Sequence, residues 1–132
     1  MLLYPLIPVQ TGNIIIIMNT EFRNPLPHAI RQALLDYHAA VEKAFGLRLR
    51  EMKLFGSYAR GEARNDSDVD VLLLVDGATW RDRNLAAALT VDVLVATGVD
   101  IAPLVMSPID LQKLQKGERL LAREIDQQSI PL

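Results

Sequence analysis

The stretch FGSYARGEARNDSDVDVLLLV, residues 55–75, holds the side chains best suited to chemistry. Gly56-Ser57 stands where a short apolar strand gives way to a helical turn predicted over 58–62. Such a junction offers free backbone N–H groups and a hydroxyl at a positive helix end, which suits a phosphate. Gly56 lets the backbone approach a ligand closely. Asp68 and Asp70 lie two apart at the entry of a strand. They therefore share a face, with Cα atoms about 6.6 Å apart, while Val69 and Val71 point the opposite way into a core. Adjacent unpaired carboxylates repel, and a divalent cation resolves that conflict. Hard oxygen ligands suit Mg²⁺, which takes one or two carboxylates together with substrate phosphates. The combination points to a Mg²⁺–nucleoside triphosphate and to phosphoryl or nucleotidyl transfer. Arg60 and Arg64 stand near enough in sequence to offset phosphate charge, or to pair with Glu62, Asp66 or the metal-site carboxylates. Gly-Ser and Asp-x-Asp are each common in ordinary loops. The information is in their combination at this spacing.

The elements that must position these residues are legible from periodicity. Asn24-Pro25-Leu26-Pro27 is a helix-entry signal. The apolar residues Ile30, Ala33, Leu34, Tyr37, Val41, Ala44 and Phe45 then recur on one helical face, predicting a helix over 27–45 with a left-handed cap at Gly46. Alternation over 50–55 predicts a strand that ends at Gly56. The β-branched and leucine run over 69–75 predicts a strand covered on both faces, stopped by Asp76-Gly77. Residues 80–97 read as a helix, with a strand over 90–95 as the rival, and Gly98 ends the segment. A third strand is expected over 99–106. Pro103 places it at an edge or a bulge. Ser107 caps a further helix with Pro108 in its first turn and Asp110 three residues after the cap. Gly117 interrupts that helix before a last segment, 118–127. The fold class is thus α/β (α+β), a small mixed β-sheet flanked by helices.

The chain has 132 residues, with 14 Lys+Arg against 16 Asp+Glu, a net charge of −2 and no cysteine. That length accommodates one domain with a core of its own. The missing cysteine excludes a disulfide scaffold, a cysteine nucleophile and a cysteine-based zinc site. The acidic balance disfavours a grip on long nucleic acid, which needs a Lys/Arg excess on some face. Locally the charge is ordered: Arg48, Arg50, Lys53, Arg60 and Arg64 precede or enter the motif, and Asp66, Asp68 and Asp70 follow. Residues 1–18 carry no charge but are broken by Pro5, Pro8, Gly12 and Asn13, and they lack the basic start of a signal peptide. No membrane association and a cytoplasmic location are expected. Residues 1–17 are read as an extension, disordered or adding an edge strand over 14–17, with the domain proper at 18–132. His28 and His38 are expected at the surface or on the first helix away from the motif, Trp80 packed at a helix start, and Tyr58 as a packing residue. Leu111, Leu114, Leu120, Leu121 and Ile125 are expected to form a core-facing stripe.

Gly56-Ser57, ten residues, then Asp68-Val69-Asp70 within GSYARGEARNDSDVDVLLLV resembles the minimal nucleotidyltransferase (MNT) domain of the polymerase-β-like superfamily. It is especially similar to stand-alone bacterial and archaeal members, including the antitoxin half of HEPN–MNT toxin–antitoxin modules. The resemblance runs from about Pro27 to the end of the sequence. It implies a polymerase-β-like fold in which Ser57 binds the triphosphate and Gly56 allows the approach. Asp68 and Asp70 would hold two Mg²⁺ ions. A third acidic residue on a later strand would complete the set, for which Asp100 is the candidate and Asp92 the weaker rival. The catalytic and metal-ligating set is then Asp68, Asp70 and Asp100, and the nucleotide-binding set Gly56, Ser57, Arg60 and Arg64.

The activity implied is transfer of a nucleoside monophosphate, AMP from ATP first among the candidates, to a hydroxyl. The acceptor would be a tyrosine or another hydroxyl of a cognate HEPN-type toxin, in a hetero-oligomer. Two alternatives stand beside it. One is an antitoxin that neutralises its partner by contact alone. The other is an enzyme with a small-molecule acceptor, which the lack of room for an acceptor-binding domain disfavours.

Overall fold

The computed structural model describes residues 26–64, 67–117, 125 and 129–132. The expected extension over 1–17, the strand over 14–17 and most of the segment over 118–127 lie outside the described residues. Helix α1 (His28–Phe45) follows Pro27, whose extended backbone sets the entry. Its inward residues Ile30, Ala33, Leu34, Tyr37, Val41 and Phe45 are buried at the predicted spacing. Ala44 is exposed instead, and His38 occupies the buried position the spacing leaves between Leu34 and Val41. Gly46 ends the helix with φ 58° but ψ −132°, outside the left-handed helical region that the sequence suggests. The backbone runs instead into a single 3₁₀ turn, Gly46–Arg48.

Strand β1 (Leu49–Phe55) passes directly into the short helix α2 (Gly56–Arg60), two residues earlier than the turn expected over 58–62. Strand β2 (Val69–Val75) has the predicted bounds. So does helix α3 (Trp80–Thr97), which rules out a strand over 90–95. Gly98 terminates α3 in a left-handed conformation, its N–H donating to Leu94 O at 2.8 Å. Strand β3 (Ile101–Met106) and helix α4 (Pro108–Gly117) follow, with the Asp110 N–H donating to Ser107 Oγ at 3.0 Å. A two-residue strand β4 (Ile130–Pro131), with no counterpart in the periodicity, closes the described chain.

The sheet order is β3-β2-β1-β4. Strand β2 pairs with β1 antiparallel and with β3 parallel, and β1 pairs with β4 antiparallel. Pro103 therefore sits on an edge strand, where its missing N–H leaves no ladder bond unmade. Alternation along β2 splits the core in two. Val69, Val71, Leu73 and Val75 meet α1 and Ala86 and Val93 of α3 on one face. Leu72 and Leu74 meet Phe55, Leu104, Met106, Leu111 and Ile125 on the other. Both faces of β2 are covered, as its apolar sequence, interrupted only by Asp70, requires. Of the expected C-terminal stripe, Ile125 is fully buried and Leu111 packs beside it. Leu114 is half-buried, and Leu120 and Leu121 lie outside the described residues.

Candidate active site

The site is built at one end of the sheet, where β1 turns into α2 and β2 and β3 begin. Phe55 is paired across the ladder with Asp70. The next residue, Gly56, has φ +75°, a conformation that favours glycine. A Cβ built on Gly56 would stand 2.1 Å from Asp70 Oδ2 and 3.0 Å from Asp70 Cγ. No side chain fits in that space. The need for glycine thus has a physical cause beyond the expected approach of a ligand: the Asp70 carboxylate itself lies against the strand-to-helix turn. Ser57, in the first turn of α2, is half-buried. The turn is closed by the Glu62 N–H donating to Ser57 O at 2.9 Å and by Gly61, left-handed at φ 73°.

The loop returning to β2 is tied by a reciprocal pair: the Arg64 N–H donates to Ser67 Oγ at 2.8 Å and the Ser67 N–H to Arg64 O at 3.0 Å. That brings the chain to Asp68, which is exposed just before β2. Asp100 is exposed just before β3. The two strands are parallel with Val69 opposite Ile101, and the Val69 N–H donates to Asp100 O at 3.1 Å. Asp68 and Asp100 therefore stand side by side at the mouths of neighbouring strands, about 5 Å apart in backbone terms. Asp70 lies one pleat further in, opposite Ala102. Asp70 shares its face of β2 with Leu72 and Leu74, the face turned away from α1 and α3. Asp92 is on α3, against the other face of the sheet, so the structure separates it from Asp68 and Asp70.

Three carboxylates are hard oxygen donors of the kind Mg²⁺ takes, and the room above Gly56 admits the Asp70 carboxylate among them. In donor type these residues suit such an ion. Among the described residues no three His, Asp or Glu side chains are gathered into a metal-sized cluster. Of the two arginines expected near phosphates, Arg60 donates from Nε to Glu62 Oε1 at 2.8 Å, and Arg64 is exposed. Phe55, with only 8% of its surface exposed, forms a wall beside Asp70 that the motif spacing did not suggest. The alternation of Lys53 and Phe55 against Met52 and Leu54 is the signal for it.

His38 stands on α1, away from the motif, which is one of the two places expected for it, and on the buried side of that helix: it is 2% exposed, with Nδ1 3.8 Å from Glu42 Oε1, beyond hydrogen-bond length. Burial lowers its pKa, opposed by the Glu42 charge. Trp80 is not packed at a helix start. It is 63% exposed, with the Arg81 guanidinium 5.4 Å from its ring centroid. No helix among the described residues is long and apolar enough to cross a membrane.

The site is thus a strand-turn-helix that holds Gly56 against Asp70, within a mixed sheet flanked by helices. Residues 48–132 match the family model described as polymerase beta, nucleotidyltransferase, and the chain belongs to that family. Among its relatives is a provisionally named protein adenylyltransferase of Methanocaldococcus jannaschii, 36% identical over 85 residues. The match covers 62% of this chain and 58% of that protein. The protein adenylyltransferase MntA of Thermococcus cleftensis is 46% identical over 44 residues, covering 33% of this chain and 42% of that protein. The chain thus spans about half the length of these curated relatives. It is also similar to the solved structure of a provisionally assigned minimal nucleotidyltransferase, with TM-score 0.47 and 27% identity over 78% of this chain and 95% of that one. A toxin–antitoxin structure with AMP-PNP gives TM-score 0.49 and 20% identity over 76% and 69%.

Proposed function

We propose that this protein is a Mg²⁺-dependent adenylyltransferase that moves AMP from ATP to a hydroxyl of a protein partner. The observation that carries the reading is the packing of the Asp70 carboxylate against Gly56. It brings an acidic strand pair to the turn that offers Ser57 and the α2 backbone to a phosphate. Asp68 and Asp70, with Asp100 beside Asp68, would hold Mg²⁺, which when bound offsets the charge of the triphosphate and of the entering oxygen. The Ser57 hydroxyl and the α2 amides would meet the phosphates, with Arg64 nearby. In the transfer, the acceptor hydroxyl gives up its proton to solvent as its oxygen bonds to the α-phosphorus, the bond to the bridging oxygen of the β-phosphate breaks, and pyrophosphate leaves. The acceptor class is supported by relatives that are named as protein adenylyltransferases. The motif's likeness to MNT antitoxins makes a cognate HEPN-type toxin the partner to test.

A second reading, an antitoxin acting by contact alone, is favoured by one observation: the three aspartate side chains are not gathered into one cluster. Incubation with α-labelled ATP, Mg²⁺ and the co-purifying partner separates the two. The enzyme reading expects label on the partner, at least a hundredfold reduced in Asp68→Asn and Asp70→Asn, and a Mg²⁺–ATP-dependent rise in Tm lost in the double variant. Asp100→Asn should slow transfer more than it weakens nucleotide binding. Full neutralisation of the partner by both single variants, with no label moved by wild type, would overturn it in favour of contact alone.

A further inference from the structure

Helix α3 is apolar on two opposite sides. Its inward side, with Ala86 and Val93, packs into the core. At roughly 100° per residue, the opposite side carries Trp80, Ala88, Val91 and Val95, with Ala87 and Leu94 along its edge, all exposed. Val91 is 55% and Val95 82% exposed. Asn84 is the one polar side chain in this stripe, and the charged residues stand on its flanks. A helix apolar on both sides is expected to be covered on both, and an outward stripe of this length marks an interaction surface.

We infer that the occupant is the same helix of a second copy of this chain, packed antiparallel about a two-fold axis. The argument is charge complementarity. In such an isologous pair each flank of the stripe meets the same flank of the partner, running the other way. Arg81 and Asp92 lie on one flank, 11 positions or about 16 Å apart along the axis. Among the described residues neither has an ion pair, and Arg81 rests on the Trp80 ring. The register that pairs Arg81 with the partner's Asp92 pairs Asp92 with the partner's Arg81 as well. It puts the crossing beside Ala87 and Ala88, whose small side chains let the two axes come close. It also carries Trp80 over the partner's Leu94. On the other flank Arg83 falls opposite the partner's Thr90, so no like charges meet. Because α3 covers the sheet face away from Asp70, the two carboxylate sites of the dimer would both stay open.

Sedimentation of the full-length chain over a concentration series tests this. A dimer is expected in the wild type, and in Val91→Lys, a position outside the core, a monomer with the wild-type far-ultraviolet circular dichroism and a Tm that no longer rises with protein concentration. Arg81→Asp and Asp92→Arg should each weaken the dimer several-fold, while the two together restore it. A wild type that stays monomeric overturns the proposal. So does a monomer that dimerises only once residues 1–25 are removed, which would make that apolar segment the cover. A dimer indifferent to Val91→Lys, or charge reversals that fail to rescue one another, would equally refute α3 pairing.

Discussion

Gly56 and Gly46 are both held at positive φ, yet they answer different demands. Around Gly46 a Cβ would meet nothing within 4 Å, whereas at Gly56 it would overlap the Asp70 carboxylate at 2.1 Å. Gly46→Ala should therefore cost only the backbone penalty of that sparsely populated conformation, about 1–3 kcal/mol. Gly56→Ala must also displace Asp70 or the turn, so roughly 2–4 kcal/mol is expected from combined strain and overpacking. Urea unfolding of both variants reads the difference, and the Mg²⁺–ATP-dependent Tm rise should vanish only in Gly56→Ala. Equal destabilisation of the two would mean that Asp70 moves aside freely. The local part of this site was legible because it depends on spacing alone: two aspartates two apart must share a face wherever β2 lies. Asp100 is different. Its place beside Asp68 follows from the parallel register of β2 and β3, a non-local pairing that no spacing encodes. His38 was expected at the surface or on the first helix, and the helix is where it lies; four residues after Leu34 and three before Val41, its spacing also puts it on the buried side of α1.

At the scale of elements, the start of α3 shows how a helix end is fixed to the sheet. Asp82 Oδ2 accepts the Thr79 N–H at 2.9 Å, an N-terminal contact that satisfies an otherwise orphan donor. The same carboxylate receives Arg48 in a fork, Nη1 to Oδ1 at 3.1 Å and Nη2 to Oδ2 at 2.6 Å. This ties α3 to the turn ahead of β1. The Arg48 hydrogen bonds hold the Asp82 pKa below the ordinary carboxylate range, helped by the Thr79 N–H and opposed by burial. A carboxylate with a lowered folded-state pKa stabilises the fold above its unfolded pKa, near 3.9, and loses that contribution as pH falls through the folded value. Asp82→Asn should thus lower stability at pH 7 by about 1 kcal/mol or more. The gap to wild type should close below about pH 4, followed by thermal melts across pH. A gap independent of pH would assign the loss to packing instead. Elements with strong internal signals were readable: β2 from a nearly continuous apolar run, α3 from its alanine and leucine content and from Gly98 at its end. Strand β4 has two residues, too few for any period, and exists only through its pairing with β1. Trp80 was misplaced because a large apolar residue was expected inside, while α3 has apolar residues on both sides and only one core to face.

For the whole molecule, the sheet is a partition. One face carries α1 and α3 and the larger core; the other carries the aspartates beside Phe55, Leu72 and Ile125. The larger core is closed from an unexpected direction. Strand β4 lies along β1, with Lys53 opposite Pro131, and the Leu132 N–H donates to Met52 O at 2.7 Å. The Leu132 side chain is fully buried in the cluster shared with α1 and α3. A residue far along the chain thus fills the core formed by the first helix and central strands, although its two-residue strand has little pairing energy of its own. Leu132→Ala should cost about 2–4 kcal/mol, the usual range for emptying a buried leucine site. Val95→Ala, on the outward side of α3, should stay within about 0.5 kcal/mol in the monomer. Because the aspartates lie across the sheet from Leu132, the Leu132→Ala protein should still show its Mg²⁺–ATP-dependent Tm rise from a lower baseline. Urea unfolding with and without Mg²⁺–ATP checks both halves. A neutral Leu132→Ala would show that β4 frays from β1 in solution and that the core closes without it. A destabilised variant that also lost its nucleotide response would show that the two faces of the sheet are coupled rather than partitioned.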